Sequence, residues 1–259
     1  MVGNFIQPYH FKAVELIISL IIALFTAAYL FAAKTYNQKA WPTYRSIVWI
    51  AGMLCIFVSI VGPIASLSHH IFVFHMLMHL LLGMLAPLLI ALSKPITLLY
   101  KSLKVQHARR ISKLLRSTPI QFFANPFIAL LLNIGGLWLL YTTNFFNLMH
   151  ESRLLFILLH IHLFIAGYIF TISIIANEPL SHKYSYLFRS FILIIAIAGH
   201  DILAKVLFSN QLDNFTIHDI QQGAVLMYYV GDFVDLILIT MLCFNWYNAT
   251  ATCKRKAFN

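Results

Sequence analysis

The sequence predicts an all-α integral membrane protein with seven transmembrane helices, and three observations lead to this prediction. Of the 259 residues, 61% are hydrophobic and 10% are charged, whereas a soluble domain carries about 45–50% and about 25%. The apolar residues are gathered into blocks of about 20, the length that crosses a bilayer as a helix. They do not alternate with polar residues, and a helix satisfies its own backbone in lipid.

Seven apolar blocks, each bounded by charged or turn residues, define the spans of one predicted transmembrane domain over residues 1–259. They cover residues 13–33, 45–66, 71–92, 122–142, 154–176, 187–208 and 223–246. The first block lacks the basic segment of a secretory signal and is long enough to stay in the membrane. The connection over residues 93–121 is predicted to be a basic cytoplasmic loop with an interfacial helix.

The net charge of +10 indicates orientation rather than nucleic-acid binding. When the loops are assigned alternately to two sides, 15 of the 18 Lys and Arg fall on one side, leaving Lys12, Arg153 and Lys205 for the other. Cytoplasmic loops of membrane proteins carry the excess of Lys and Arg. We therefore expect an outer N-terminus, a cytoplasmic C-terminus, contact with membrane lipid and no nucleic-acid partner.

Ten of the 12 histidines fall on the predicted outer side or in the outer halves of helices. A rise of 1.5 Å per residue places five of the ionisable residues about 6–14 Å below the outer helix ends. An ionisable group at this depth is costly unless it is paired, wetted or metal-bound, so we expect it to be functional. The predicted metal ligands are His75, His79, His160, His200 and Asp232.

The pair His75 and His79 is the sharpest element of this site. Residues four apart share a helix face, so both imidazoles can reach one ion at about 2 Å. His160 and His162 are two apart, so at most one of them is expected to point into the bundle. The alternative is that each histidine bonds a neighbouring group and joins helices.

Four further residues are predicted to support the site. His69 and His70 lie in the turn before the third span, where they would capture a cation. Asp201 and Asp235 would accept the other N–H of metal-bound imidazoles, although an ion pair between Asp201 and Lys205 is an alternative.

Residue types alone leave the metal open between copper and zinc. Imidazole with a nearby thioether, such as that of Met76 or Met84, suits copper, and imidazole with carboxylate suits zinc.

The stretch from Ser68 to Leu99 carries the most specific family motifs. It contains His75-Met76-x-x-His79, Ala86-Pro87-Leu88-Leu89 and Lys94-Pro95-Ile96-Thr97-Leu98. Further motifs are His160 with Gly167, Asn177-Glu178-Pro179, Gln221-Gln222-Gly223-Ala224 before Gly231-Asp232, and Trp246. From about residue 40 to 247, the sequence resembles the CtaG family of cytochrome c oxidase assembly factors, the bacterial caa-type branch.

This resemblance implies a seven-helix protein of the bacterial cytoplasmic membrane that supplies copper to an oxidase of the respiratory chain. The implied partners are cytochrome c oxidase subunits or another copper chaperone. Many members carry a Trp-x-His-x-Pro stretch at the end of the fourth span, whereas residues 138–143 read Trp-Leu-Leu-Tyr-Thr-Thr. The resemblance therefore implies no metal ligand in the fourth span of this chain.

Three functions are compatible with the sequence. The first is a non-enzymatic assembly factor or metallochaperone, without catalytic residues, that binds copper in the outer half of the bundle and delivers it to the oxidase. The second is a zinc-dependent intramembrane hydrolase, similar to ceramidase-like enzymes, with three histidines, a metal-bound water and an Asp base. The third is a haem-binding electron carrier with axial histidines.

Overall fold

The computed structural model describes residues 8–36, 41–178, 184–212 and 215–257, with side chains described from residue 15 to 251. This part of the chain is helical and contains no strand. The helices are α1 Pro8–Thr35, α2 Thr43–Ile60, α3 Pro63–Leu67, α4 Phe72–Leu80, α5 Ala86–Ser93, α6 Pro95–Ser102, α7 Val105–Leu115, α8 Thr118–Phe123, α9 Pro126–Leu130, α10 Gly136–Thr142, α11 Phe145–Glu151, α12 Arg153–Ile175, α13 Tyr186–Ser209 and α14 Ile217–Ala257. Two π-helical turns, Leu81–Leu85 and Leu131–Gly135, join α4 to α5 and α9 to α10.

The helices confirm the predicted class of an all-α membrane protein. Within the described residues, six helical segments are long and apolar enough to cross a membrane. A seventh candidate consists of Pro126–Thr142 and Phe145–Glu151, which bend by 81° at the break between them. The described residues therefore contain six or seven candidate spans.

Helix ends differ from the predicted span boundaries at several places, and two of these differences have a local reason. The second span ends at Ile60 instead of residue 66, because Gly62 has a φ of 95° and Pro63 starts a new helix. The fourth span begins at Pro126 instead of residue 122, because Asn125 accepts a bond from the Phe127 amide and caps a new helix there. The last helix begins at Ile217, six residues before the predicted boundary.

The centre of the bundle is the helix formed by α4, the π turn and α5. This span is the most enclosed of the candidate spans. In its most apolar stretch 67% of the residues are buried, whereas the share in α1 is 11%. Helix α14 packs against α4, while α2 and α12 pack against α5. The helix breaks at Lys94, which has a φ of 53°, about 33 Å from Phe72 at 1.5 Å per residue.

Two carboxylates from other segments cap the start of the central helix and the start of α6, which follows it. The Asp219 carboxylate, in the first turn of α14, accepts hydrogen bonds from Phe72 N at 2.5 Å and Val73 N at 3.3 Å. A carboxylate at a helix N-terminus satisfies free amides and complements the helix dipole. Because Asp219 joins the starts of α4 and α14, it also fixes the depth of the histidines on α4.

Glu178 makes the second cap at the opposite end of the bundle. Its carboxylate accepts bonds from Ile96 N at 3.1 Å, Thr97 N at 3.0 Å and the Thr97 hydroxyl at 2.6 Å. Burial raises the pKa of Glu178, and the bonds from Thr97 and Ile96 oppose that change. The residues of the sequence motif around Glu178 thus close the break between α5 and α6.

The ends of the bundle differ in composition. We call the end at which α4 begins the histidine end, and the end at which α5 gives way to α6 the basic end. The predicted basic loop forms α6, α7 and α8. On α7, Arg109, Arg110 and Lys113 are exposed, and no residue of this helix is buried.

Candidate metal site at the histidine end

His75 and His79 lie on consecutive turns of α4, and each is 2% exposed. Their ring contacts lead to different neighbours. The His75 ring contacts those of His150 and His160, whereas the His79 ring contacts that of His200. The π turn starts two residues after His79, and such turns are frequent at functional sites.

We call His69, His75, His150 and His160 the mouth cluster. The ring centres of His69 and His150 are 6.4 Å apart, those of His75 and His150 are 6.0 Å apart, and those of His75 and His160 are 6.2 Å apart. His69 is exposed, His150 and His160 are half-buried and His75 is buried. The cluster therefore leads from the surface into the bundle.

Backbone carbonyls select the tautomer of two of these rings. His150 Nδ1 lies 3.0 Å from the Phe146 carbonyl oxygen, and His160 Nδ1 lies 2.7 Å from that of Phe156. Since a carbonyl accepts but does not donate, the proton belongs on Nδ1 and Nε2 keeps its lone pair. His150 Nε2 is buried without a partner, so it is available as a ligand.

His75 also has one nitrogen free. Its Nε2 lies 3.0 Å from the Tyr141 hydroxyl, while its Nδ1 is buried without a partner. Tyr141 belongs to the fourth span, where the family resemblance supplied no ligand. This span therefore contributes an orienting phenol to the histidine on α4.

We call His79 and His200 the inner pair. Their ring centres are 6.4 Å apart and their planes are within 12° of parallel. His79 Nε2 and both ring nitrogens of His200 are buried without a partner. A Cβ atom on Gly231 would collide with the His200 ring, so glycine on α14 leaves the space that this imidazole occupies.

Two small cavities border these rings. The larger, about 30 Å³, is lined by His75, His79, Tyr141 and His160 among others. The smaller, about 20 Å³, is lined by His79, His200 and Asp235 among others. A cavity of about 10–15 Å³ holds one water, so both suit an ion or one or two waters.

The carboxylates of this region belong to α13 and α14. Asp235, which is 6% exposed, lines the inner cavity. Asp232 lies near Asp201, whose Oδ1 is buried without a partner, and near His200, on which its charge acts. The Lys205 ammonium lies 5.4 Å from the centre of the Tyr228 ring. Asp232 and Asp235 are therefore both close to the inner pair.

Two of the remaining predicted residues lie at the surface of this end. His69 packs on the Phe156 ring at 4.7 Å, and burial together with nearby His150 and His70 lowers its pKa. His70 is exposed in the same turn. His162 is exposed, and its Nε2 lies 3.1 Å from the Leu132 carbonyl oxygen, whereas His160 faces the mouth cluster, as the spacing predicted.

Sequence reasoning missed His150. It lies on α11, the short helix beyond the 81° bend, and this bend folds it back against His75. Its position on the predicted outer side was the available signal, but nothing in a linear pattern indicates a bend of this size.

Among the residues that the structure describes, no group of three or more His, Cys, Asp or Glu side chains is arranged to hold a metal ion. Pairs of imidazole rings, by contrast, have spacings that suit an ion held between two rings. A nitrogen about 2 Å from an ion places the ring centre about 3 Å away, so two rings on opposite sides of one ion have centres about 6 Å apart. The observed spacings of 6.0–6.4 Å between His75 and His150, His75 and His160, and His79 and His200 lie in this range.

Comparison with known proteins agrees with the sequence motifs. The model of the family described as cytochrome c oxidase caa3 assembly factor (Caa3_CtaG) matches residues 27–249. An uncharacterized protein of Mycobacterium leprae is 26% identical over 169 residues, which cover 62% of this chain and 26% of that protein. An uncharacterized protein of Mycobacterium bovis is 26% identical over 177 residues, covering 66% and 27%.

The chain thus spans about a quarter of the length of the curated relatives that it matches. No solved structure matches it. The family match covers most of the chain, including every histidine of the mouth cluster and of the inner pair. The chain belongs to the Caa3_CtaG family of cytochrome c oxidase caa3 assembly factors.

Proposed function

We propose that this protein binds copper at the mouth cluster and helps to deliver it to cytochrome c oxidase. The observation that carries the proposal is the set of ring nitrogens left without a partner, above all His75 Nδ1 and His150 Nε2. Buried polar atoms are nearly always satisfied in folded proteins, so the unpaired nitrogens of these neighbouring rings favour a ligand. The family supplies the link to oxidase assembly.

The donor types favour copper over zinc at this position. The buried Met149 lines the same cavity as His75 and His160. Thioether with imidazole suits copper, whereas zinc is usually held by four ligands or by three and a water. Pairs of imidazoles are a poor match for zinc and a better one for a softer ion of low coordination number.

Delivery by ligand exchange needs a site that a partner can reach. His69 is exposed and His75 is buried, and the half-buried His150 lies next to both. The distribution of Lys and Arg predicts that this end faces the outside of a bacterial cytoplasmic membrane. We propose cytochrome c oxidase subunits, or another copper chaperone, as the partners, and we propose no catalytic residue.

The test is the metal content of the protein purified in detergent from copper-replete cells. Copper and zinc per chain are measured by mass spectrometry for the wild type, for the double variant His150→Gln/His160→Gln and for His218→Gln. His218 is an exposed histidine at the same end, so its variant is the matched control.

We expect copper in the wild type and in His218→Gln and a clear fall in copper per chain in the double variant. Cells carrying the double variant as their sole copy should lose oxidase activity as well. A wild type without copper, or a double variant with the same copper content as the control, would overturn the proposal.

A further inference from the structure

We infer that the protein holds a second cation position, formed by the inner pair His79 and His200 together with Asp235. This inference rests on the proposed function, because the mouth cluster would supply the copper. It assigns the inner pair to a separate site instead of the single site that the sequence predicted.

A series of imidazole rings runs from the surface to α4, where His75 of the mouth cluster and His79 of the inner pair lie on consecutive turns. From the surface, the ring centres of His69 and His150 are 6.4 Å apart, those of His150 and His75 are 6.0 Å apart, and His79 on the next turn of α4 is 6.4 Å from His200. Exposure falls along the series to 2% at His75 and His79 and 1% at His200. A cation that moves between neighbouring rings would therefore travel from the surface into the bundle.

Tyr141 separates the two positions. Its ring centre lies 6.2 Å from that of His75 and 6.5 Å from that of His79. The phenol therefore contacts both histidines of α4, and each ring turns to a different side: His75 to the mouth cluster and His79 to His200. This arrangement explains why two histidines four residues apart do not form one site.

The inner pair has more unsatisfied nitrogens than any other described pair of rings. His79 Nε2 and both nitrogens of His200 have no partner, and His200 is almost fully buried. Leaving such groups unpaired costs stability. The cavity between them, about 20 Å³, has room for one ion or one water, and the ring spacing of 6.4 Å fits an ion held between two imidazoles.

Charge distinguishes the inner position from the mouth cluster. Asp235 lines the inner cavity, whereas none of the residues that line the larger cavity is acidic. A cation in a medium of low dielectric constant needs a nearby countercharge. Asp235 would therefore make the inner position the tighter one, with the mouth cluster as the position of exchange.

The two cavities share the lining residues His79, Asn133 and Leu137. Asn133 lies in the π turn of the fourth span, and His79 lies just before the π turn of the central helix. Both departures from regular α-helix thus occur at the level where the two cavities meet. A cation that passes from one position to the other would cross at this level.

The experiment is an anaerobic titration of the purified full chain with Cu(I) against a chromogenic chelator, which reports the number of ions bound and their affinities. The variants are His200→Leu, His200→Asn, Asp235→Asn and the control His218→Gln. Retained helicity and a monodisperse elution profile identify folded variants, and the two His200 variants differ in polarity so that at least one is expected to pass.

We expect two Cu(I) ions per wild-type chain and per His218→Gln chain, and one per folded His200 variant. Asp235→Asn should retain two ions, with one of them bound at least tenfold more weakly. If the wild type binds one ion and His200 variants keep it, the inner position is overturned while the proposed function stands.

If a folded His200 variant loses both ions, the two positions are one site and the inference is also overturned. A wild type that binds no Cu(I) overturns the proposed function itself. If the inner cavity holds only water, the wild type will bind one ion, and substitutions at His200 and Asp235 will leave its binding unchanged.

Discussion

The basic end and the histidine end both bury polar side chains, but they satisfy them differently. At the basic end, Glu178 accepts three bonds from Ile96 and Thr97, and the Tyr29 hydroxyl donates to the Ser93 carbonyl at 2.7 Å. At the histidine end, buried imidazoles keep nitrogens without partners. The first arrangement is that of a structural network, and the second is that of a binding site.

The unpartnered atoms make this contrast concrete. Nine buried side-chain nitrogen and oxygen atoms in the described residues have no partner, and five of them belong to histidines of the mouth cluster and the inner pair. At the basic end, Trp49, Asn177 and Arg189 each have one such atom, and Asn177 and Arg189 also bond a backbone carbonyl, that of Ala91 or Ile174. Both ring nitrogens of His200 are unpartnered.

The largest effect on stability is expected from Glu178→Ala at the basic end. The substitution leaves the amides of Ile96 and Thr97 without their acceptor, at a cost of about 2–4 kcal/mol. Thermal unfolding in detergent should show a clear fall in Tm, with copper per folded chain unchanged. Glu151→Ala, at an exposed position, is the control, and equal Tm values for the two variants would contradict a structural role for Glu178.

A smaller loss is expected from Asp219→Ala, which removes the cap of α4. Two bonds to Phe72 N and Val73 N are lost, and the removal of a helix cap costs about 0.5–2 kcal/mol. Because α4 carries His75 and His79, we expect copper affinity to fall together with Tm. Unchanged affinity in this variant would show that the cap does not position the histidines.

Tyr141→Phe is expected to have a milder effect. It deletes the 3.0 Å bond to His75 Nε2 and should lower stability by about 1 kcal/mol. The number of Cu(I) ions per chain should remain the same, because the ring still separates His75 from His79. A change in that number would mean that the hydroxyl itself is a ligand.

The smallest effect on stability is expected from His200→Leu. No hydrogen bond of the ring is lost, and replacing a buried polar group by an apolar one of similar volume is often neutral or stabilising. We expect an unchanged or higher Tm together with the loss of one Cu(I) ion. A fall in Tm as large as that of Glu178→Ala would make His200 part of a structural network.

The sequence was sufficient to predict the helical membrane class, because long apolar blocks leave no other solution in lipid. The sequence also placed most of the histidines at one end of the bundle, because successive loops lie on alternate sides of the membrane. The breaks at Gly62 and Asn125 were missed because they arise from single residues within apolar blocks.

The division of the histidines into two positions could not be predicted. Helical spacing shows that His75 and His79 share a face, but the side to which each ring turns depends on Tyr141, a residue distant in sequence. His150 joins the mouth cluster through an 81° bend, and Asp235 faces the inner cavity through the rotation of α14. Such details depend on tertiary packing, which periodicity does not encode.

The most direct test of a binding role for the histidine end combines two measurements on one variant. The triple variant His75→Leu/His150→Gln/His160→Gln is compared with the wild type for copper per chain and for Tm in the same detergent. We predict that the copper of the mouth cluster is lost while Tm falls by less than it does in Glu178→Ala. Full retention of copper by the triple variant would contradict the account.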